Sequence, residues 1–208
     1  MKQNYQKQMD AVVAAHPEGA RPHLLLQSCC GPCSSYVLEA LTPFFRVTVL
    51  YYNPNIQPRE EYELRLANQR KIIDALPTPT VVDLLECPYD GERYDQAVRG
   101  LESEPEGGQR CTVCFRLRLE ETARLAKENG FDWFCTTLTV SPHKDADRLN
   151  RIGAELGERY GVPFLPSDFK KREGYKRSIE LSKVYGLYRQ DYCGCLFSKP
   201  VDKSAPLV

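Results

Sequence analysis

His23-Leu24-Leu25-Leu26-Gln27, running straight into Ser28-Cys29-Cys30-Gly31-Pro32-Cys33, decides the fold. The first five residues form a continuous apolar run, suited to a strand buried on both faces. The run ends in a loop rich in Cys, with Gly and Pro. Ser34 to Leu41 then reads as a helix, with Ser34 or Ser35 able to cap it. Strand, loop, helix is the opening unit of an alternating α/β chain.

The alternation continues outward from that unit. A short helix, Tyr5 to Ala15, precedes it. Val47 to Tyr52 is a second strand, β-branched and aromatic, and Asn53-Pro54-Asn55-Ile56-Gln57-Pro58 is the loop at its end. Arg59 to Leu76 is an amphipathic helix with Tyr62, Leu66, Ile73 and Leu76 near one face. Thr80 to Leu85 is a third strand, and Gly91 to Gly100 a short helix. The acidic loop Glu102 to Gln109 leads to a long helix opening at Cys111, with Phe115, Leu119, Ala123 and Ala126 on one stripe. Asp132 to Leu138 is a fourth strand, ending in Thr139-Val140-Ser141-Pro142-His143. A helix over Asp145 to Tyr160, a short strand at Pro163-Phe164-Leu165 and a helix over Gly174 to Tyr185 complete the pattern. The expected fold is α/β, a mostly parallel sheet with helices on both faces and a helical C-terminal extension. One domain is expected over residues 1–208, its core at about 23–198, with a loose tail after Ser198. Sites in such sheets form beyond the carboxyl ends of the strands. The loops that begin at Ser28, Asn53 and Thr139 should therefore open on one edge.

The 208 residues carry 28 Lys and Arg against 28 Asp and Glu, a formal net charge of zero. This argues against non-specific nucleic-acid binding as a way of life, though not against an enzyme that visits an RNA briefly. No apolar run reaches the length of a membrane span, about 18 residues, and Met1 to Pro17 has no apolar stretch of signal-peptide type. A cytoplasmic, reducing compartment is expected, with no membrane partner.

Cysteine is the outlier: nine residues, at 29, 30, 33, 87, 111, 114, 135, 193 and 195. A disulfide framework is a poor explanation in a reducing compartment, which leaves packing, metal binding or redox chemistry. Plain buried cysteine fits Cys135, inside a strand, and Cys87. Cys30-Gly31-Pro32-Cys33, between a strand and a helix, suits a thioredoxin-like thiol–disulfide oxidoreductase, because a helix N-terminus activates a thiol. That reading leaves Cys29 and the second Cys-x-x-Cys, Cys111/Cys114, without a task. A four-cysteine zinc site on Cys30, Cys33, Cys111 and Cys114 has ordinary spacing but again leaves Cys29 idle. A 4Fe–4S cluster can use Cys29, Cys30, Cys111 and Cys114, because neighbouring residues can ligate two different irons of a cube. Cys33 is then free beside it, for a further metal or for catalysis. Cys193-Gly194-Cys195 is a separate device, either a small strained disulfide suited to redox work or a pair of metal ligands.

Other candidates are weaker. Arg110, Arg116 and Arg118 flank the start of the Cys111 helix, and Lys170-Lys171-Arg172 and Lys176-Arg177 bracket Tyr175. Charges of this kind suit phosphates, and Tyr175 suits an unstacked base. Asn53 and Asn55 either contact a nucleoside or shape their Pro-containing turn. His143 lies at the expected sheet edge, where a structural role competes with acid catalysis.

Taken in order, Ser28-Cys29-Cys30-Gly31-Pro32-Cys33-Ser34, Tyr51-Tyr52-Asn53-Pro54-Asn55-Ile56, Glu61-Tyr62-x-x-Arg65, Arg110-Cys111-x-x-Cys114-Phe115-x-x-Arg118-Leu119, Thr136-Thr137-Leu138-x-x-Ser141-Pro142 and Tyr192-Cys193-Gly194-Cys195 resemble the epoxyqueuosine reductases of the QueH type. The resemblance runs from about residue 23 to 198; Gln57 stands where the family pattern leads one to expect histidine. It implies an oxidoreductase that removes the epoxide oxygen of epoxyqueuosine, at the wobble position of tRNAs with GUN anticodons, to give queuosine. It further implies a 4Fe–4S cluster on Cys29, Cys30, Cys111 and Cys114, and Cys193 and Cys195 as a redox-active pair. A second, mononuclear iron is implied beside the cluster, with Cys33 the candidate ligand. The fold implied is Rossmann-like, of the nucleotide α-hydrolase (HUP-like) kind shared with tRNA-thiolating ATPases. Its phosphate-binding turn is here replaced by the Cys-rich loop. Substrate contacts are expected at Asn53, Asn55, Lys170, Lys171 and Tyr175, and the electron donor stays unknown.

Overall fold

The structure is a computed structural model that describes residues 3–199; most of the tail expected to be loose lies outside these residues. Four strands form one sheet in the order β3-β2-β1-β4. They are β1 (His23–Gln27), β2 (Arg46–Tyr51), β3 (Asp83–Glu86) and β4 (Trp133–Thr136). Every pairing is parallel, with Leu24 opposite both Val47 and Trp133, and Thr48 opposite Asp83.

The period of two along a strand sorts side chains between two cores. Leu24, Leu26, Val47 and Val49 face one layer, made by α1 (Tyr5–Ala14), α2 (Gly31–Leu41) and α3 (Arg59–Ala75), through Met9, Val37, Leu38, Leu41 and Ile72. Leu25, Leu50 and Phe134 face the other, made by α5 (Gln109–Glu128) and α6 (Ala146–Tyr160), through Phe115, Leu119, Ala123, Leu149 and Ile152. The short α4 (Gly91–Ala97) packs on α5, and α7 (Gly174–Val184) packs on α2. Helices therefore cover both faces, and β1 is buried along nearly its whole length, as its apolar run predicts.

Several boundaries differ from expectation for physical reasons. α2 begins at Gly31, not Ser34. Cys30 is its extended N-cap, and proline in the first turn needs no donor. Ser34 and Ser35 are not caps: their hydroxyls donate back to the Gly31 and Pro32 carbonyls. Cys33 consequently sits in the first helical turn. The fourth strand stops at Thr136, whose hydroxyl accepts from the Leu138 N–H at 3.1 Å and turns Thr137–Val140 into a 3₁₀ helix. The third strand starts later, at Asp83. The strand expected at Pro163-Phe164-Leu165 is reduced to a single bridge between Phe134 and Phe164. No helix among the described residues is long and apolar enough to cross a membrane.

Candidate metal centre

The parallel sheet delivers the β1 and β4 loops to its carboxyl edge, and there they line one cavity of about 320 Å³. Cys29, Pro32 and Cys33 come from the β1 loop, and Ser141, His143 and Lys144 from the segment after β4. Tyr175 comes from α7, and Arg189 to Cys193 from the C-terminal segment. The loop after β2 does not line this cavity and instead supports it from beneath. Gln57 N–H donates to the Gly194 carbonyl at 2.9 Å, and the Tyr192 hydroxyl donates to the Gln57 carbonyl at 2.7 Å. The Gln57 side-chain amide donates to Asp95.

Cys29, Cys30 and Cys33 converge until their sulfurs all lie within 4.8 Å of one another. The Cys30–Cys33 separation is 3.0 Å and the Cys29–Cys30 separation 3.6 Å. All nine cysteines are free thiols. Hydrogen bonds from Cys30 and Cys33 hold Cys29 well below the usual thiol range, with Arg118 and Arg65 helping. The same sharing pushes Cys30 up to about 12 and Cys33 well above the usual range. The Gln190 side-chain amide donates to Cys30 Sγ at 3.2 Å.

Cys111 and Cys114 lie on the first two turns of α5, outside that tight trio. Arg118, one turn on, donates to Asn53 Oδ1 at 2.7 Å and to Gln27 Oε1 at 3.4 Å, which pins the helix start above the ends of β1 and β2. Cys114 is buried, and burial pushes its thiol up to about 12. Cys111 is half-buried, its sulfur 3.2 Å from the Gly107 N–H.

Three arginines, Arg65, Arg110 and Arg118, are the largest fully buried side chains among the described residues. A buried cation needs an anion or a dense set of acceptors. Arg110 donates through one guanidinium nitrogen to the carbonyls of Leu101, Glu102 and Glu104, while its Nε has no partner. Arg65 pairs with Glu61 at 2.7 Å and donates to the Tyr192 and Cys193 carbonyls, clamping the Cys-Gly-Cys segment onto α3. Arg118 donates to neutral amide oxygens and lies among the sulfurs of Cys114, Cys29 and Cys193, of which Cys29 is the one held toward its thiolate. A thiolate-ligated cluster, which is anionic, fits this setting: five thiols at one edge and a buried cation among them.

The other expected residues divide. Asn53 is buried and fully engaged: its amide donates to the Ser28 carbonyl and its oxygen accepts from Gln27 and Arg118, so it ties the β1 and β2 loops together. Asn55 is equally buried, with neither amide atom partnered. Lys170 is turned inward, donating to the Lys144 carbonyl at 3.2 Å and pairing with Asp168. Lys171 is exposed. Tyr175, partly exposed at the cavity mouth, lies under the Arg189 guanidinium at 5.9 Å. Cys193 faces the cavity and Cys195 faces away from it, packed on Tyr94, Val98 and Cys114. Cys135 is buried in β4, where burial pushes its thiol up to about 12, and Cys87 is half-buried and raised to about 11 for the same reason.

Sequence reasoning missed Lys144. It singled out His143, which is exposed at the rim, while the next residue carries its ammonium into the cavity wall. No local signal separates the two. Arg65 and Arg118 stand inside the quoted motifs, but only the fold reveals that they are buried.

An α/β sheet of Rossmann type with a thiol-lined cavity at its carboxyl edge has the make-up of a metal–thiolate or redox protein. The family model "Epoxyqueuosine reductase QueH" matches residues 24–200, and the chain belongs to that family. Its relatives include the QueH proteins of Streptococcus pyogenes (44% identical, over 95% of this chain and 78% of the relative) and Staphylococcus epidermidis (42%, over 95% and 85%). The QueH of Thermotoga maritima is 36% identical over 84% of this chain and 89% of the relative. Among solved structures, the U34-tRNA thiolase NcsA from Methanococcus maripaludis with its 4Fe–4S cluster shares the fold. Its TM-score is 0.54 at 10% identity, covering 94% of this chain and 67% of that one.

Proposed function

We propose that this chain reduces epoxyqueuosine to queuosine at the wobble position of tRNAs with GUN anticodons, removing the epoxide oxygen as water. Family membership supports the reaction, and the gathering of Cys29, Cys30 and Cys33 at the wall of a cavity carries it to particular residues. Cys29, Cys30, Cys111 and Cys114 would hold a 4Fe–4S cluster, and Cys33 would be a ligand of an additional iron. When bound, the cluster supplies electrons one at a time and the iron a Lewis acid for the epoxide oxygen.

The chain's own residues do the rest. Cys29 and Cys33 open onto the cavity, so chemistry at the sulfurs is reachable from the mouth. Tyr175 and Arg189 flank that mouth, an aromatic face and a cation suited to a splayed base and its phosphate. Cys193, on the same wall, would supply with Cys195 a second redox centre, which two-electron chemistry needs beside a one-electron carrier.

The thioredoxin-like reading of Cys30-Gly31-Pro32-Cys33 loses its ground. The sheet is parallel throughout, and Cys29 and Gln190 crowd the Cys30 sulfur.

The division of labour among the cysteines is tested with Cys33→Ala, purified without oxygen. It is expected to keep the iron–sulfur absorbance of the parent protein and to lose turnover of epoxyqueuosine-containing tRNA. Loss of the absorbance itself would instead make Cys33 a cluster ligand.

A further inference from the structure

The two thiols of the Cys-Gly-Cys segment sit in different surroundings. Gly194 lies at φ +108°, a backbone state that favours glycine, and a Cβ there would press on Ile56 and Arg65. With the chain turned in this way, Cys193 lines the cavity and Cys195 is packed beneath it. Cys195 Sγ accepts from the Tyr94 hydroxyl at 2.9 Å. Cys193 Sγ meets the Lys144 ammonium at 3.2 Å.

Lys144 is itself well placed. Its side chain is 8% exposed, its ammonium also meets Glu106 Oε1 at 2.7 Å, and its carbonyl is held by Lys170. Burial pulls the lysine down; the contacts with Cys193 and Glu106 outweigh it and hold the group above the ordinary lysine range. From the other side, the buried Arg118 and the Cys114 thiol of α5 face Cys193, and Arg65 holds its carbonyl. A cation in contact with sulfur favours the thiolate, which is the nucleophilic form.

We propose that Lys144 holds Cys193 as the reactive thiolate of the pair, with Cys195 the protected thiol that closes the bridge. This assignment rests on the reading of Cys193 and Cys195 as a redox pair. The step balances: a Cys193 thiolate and a Cys195 thiol form one S–S bond, releasing two electrons and one proton. Both electrons go to the epoxide, which loses its oxygen and becomes an alkene. The Cys195 proton goes to that oxygen. The second proton needed for water comes from the Lys144 ammonium, which loses its contact with the Cys193 thiolate as the bridge forms and is left with Glu106 alone.

The test is a short pulse of iodoacetamide on the reduced, oxygen-free holoenzyme, with each cysteine read by peptide mass spectrometry, beside Lys144→Met and Lys144→Arg. Cys193 should be labelled about tenfold faster than Cys195, and Lys144→Met should slow Cys193 about tenfold with Cys195 unchanged. Lys144→Arg, which restores a cation, should recover most of the rate. Faster labelling of Cys195, or a Cys193 rate indifferent to both substitutions, overturns the proposal. Mild oxidation with diamide tests the underlying reading separately. If no bridge forms between residues 193 and 195 while the Lys144 dependence persists, the redox pair fails and the hold of Lys144 on Cys193 stands.

Discussion

Cys29 and Cys135 show how one residue type serves two ends in a single chain. Cys29 lies where other thiols and two buried arginines stabilise negative charge, and it is the thiolate of its trio. Cys135 is buried beside Leu165 and Ser167, where burial outweighs the hydrogen bonds of Ser167 and Thr136 and lifts its thiol to about 12. An unfolded thiol titrates near pH 8.5. A group raised in the folded state contributes stability below that value and loses it as pH climbs toward the folded one. Urea unfolding of the metal-free protein should therefore show wild-type stability declining from about pH 8 to about pH 10, and Cys135→Ala declining less steeply. Alanine should also cost about 1 kcal/mol at neutral pH for the space it leaves. Parallel curves would mean that Cys135 is ionisable in place. The inert role of Cys135 was legible from its position in a strand. The placement of Lys144 was not, because a neighbouring His143 carries the same local pattern and only contact with Cys193, far along the chain, distinguishes them.

α2 is the element on which the centre depends. Cys30 caps it and its first turn carries Cys33, and Gly31 there lies so close to α3 that an added Cβ would stand 2.5 Å from the Asn68 carbonyl oxygen. That oxygen belongs to helix backbone and cannot swing aside. Gly31→Ala should lower stability by about 1–3 kcal/mol, measured by thermal unfolding, and should reduce iron retained through anaerobic purification. Unchanged melting and unchanged iron would show that α2 and α3 part more easily than their packing implies. Elements were read well where one signal dominated. The apolar run of β1 and the stripe of α5, Phe115 to Ala126, lie where the pattern put them. Boundaries failed where capping competed with propensity. The β-branched Thr137, Thr139 and Val140 suit a strand, but the Thr136 hydroxyl captures the Leu138 N–H and starts a 3₁₀ turn.

At the scale of the whole molecule, the sheet acts as a collecting edge. Residues separated by more than a hundred positions meet there because parallel strands deliver their loops to one side. The cysteine motifs announced the thiols; the order of strands decides which of them share a wall. The loop after β2, expected to open on the cavity, braces the Cys-Gly-Cys segment instead through Gln57 and Tyr192. The three buried arginines, invisible as such in a chain of zero net charge, serve different ends: Arg65 pairs with Glu61, Arg110 binds carbonyls, and Arg118 lies among the sulfurs. The central claim is that this edge performs reductive removal of an epoxide oxygen from tRNA. It is tested most directly by incubating the anaerobically purified, iron-loaded protein and a chemical reductant with tRNA carrying epoxyqueuosine, then digesting the tRNA and weighing its nucleosides. Loss of one oxygen and appearance of queuosine, dependent on the loaded protein, is the expected result. Epoxyqueuosine recovered unchanged from a fully loaded, reduced protein that binds the tRNA would contradict it.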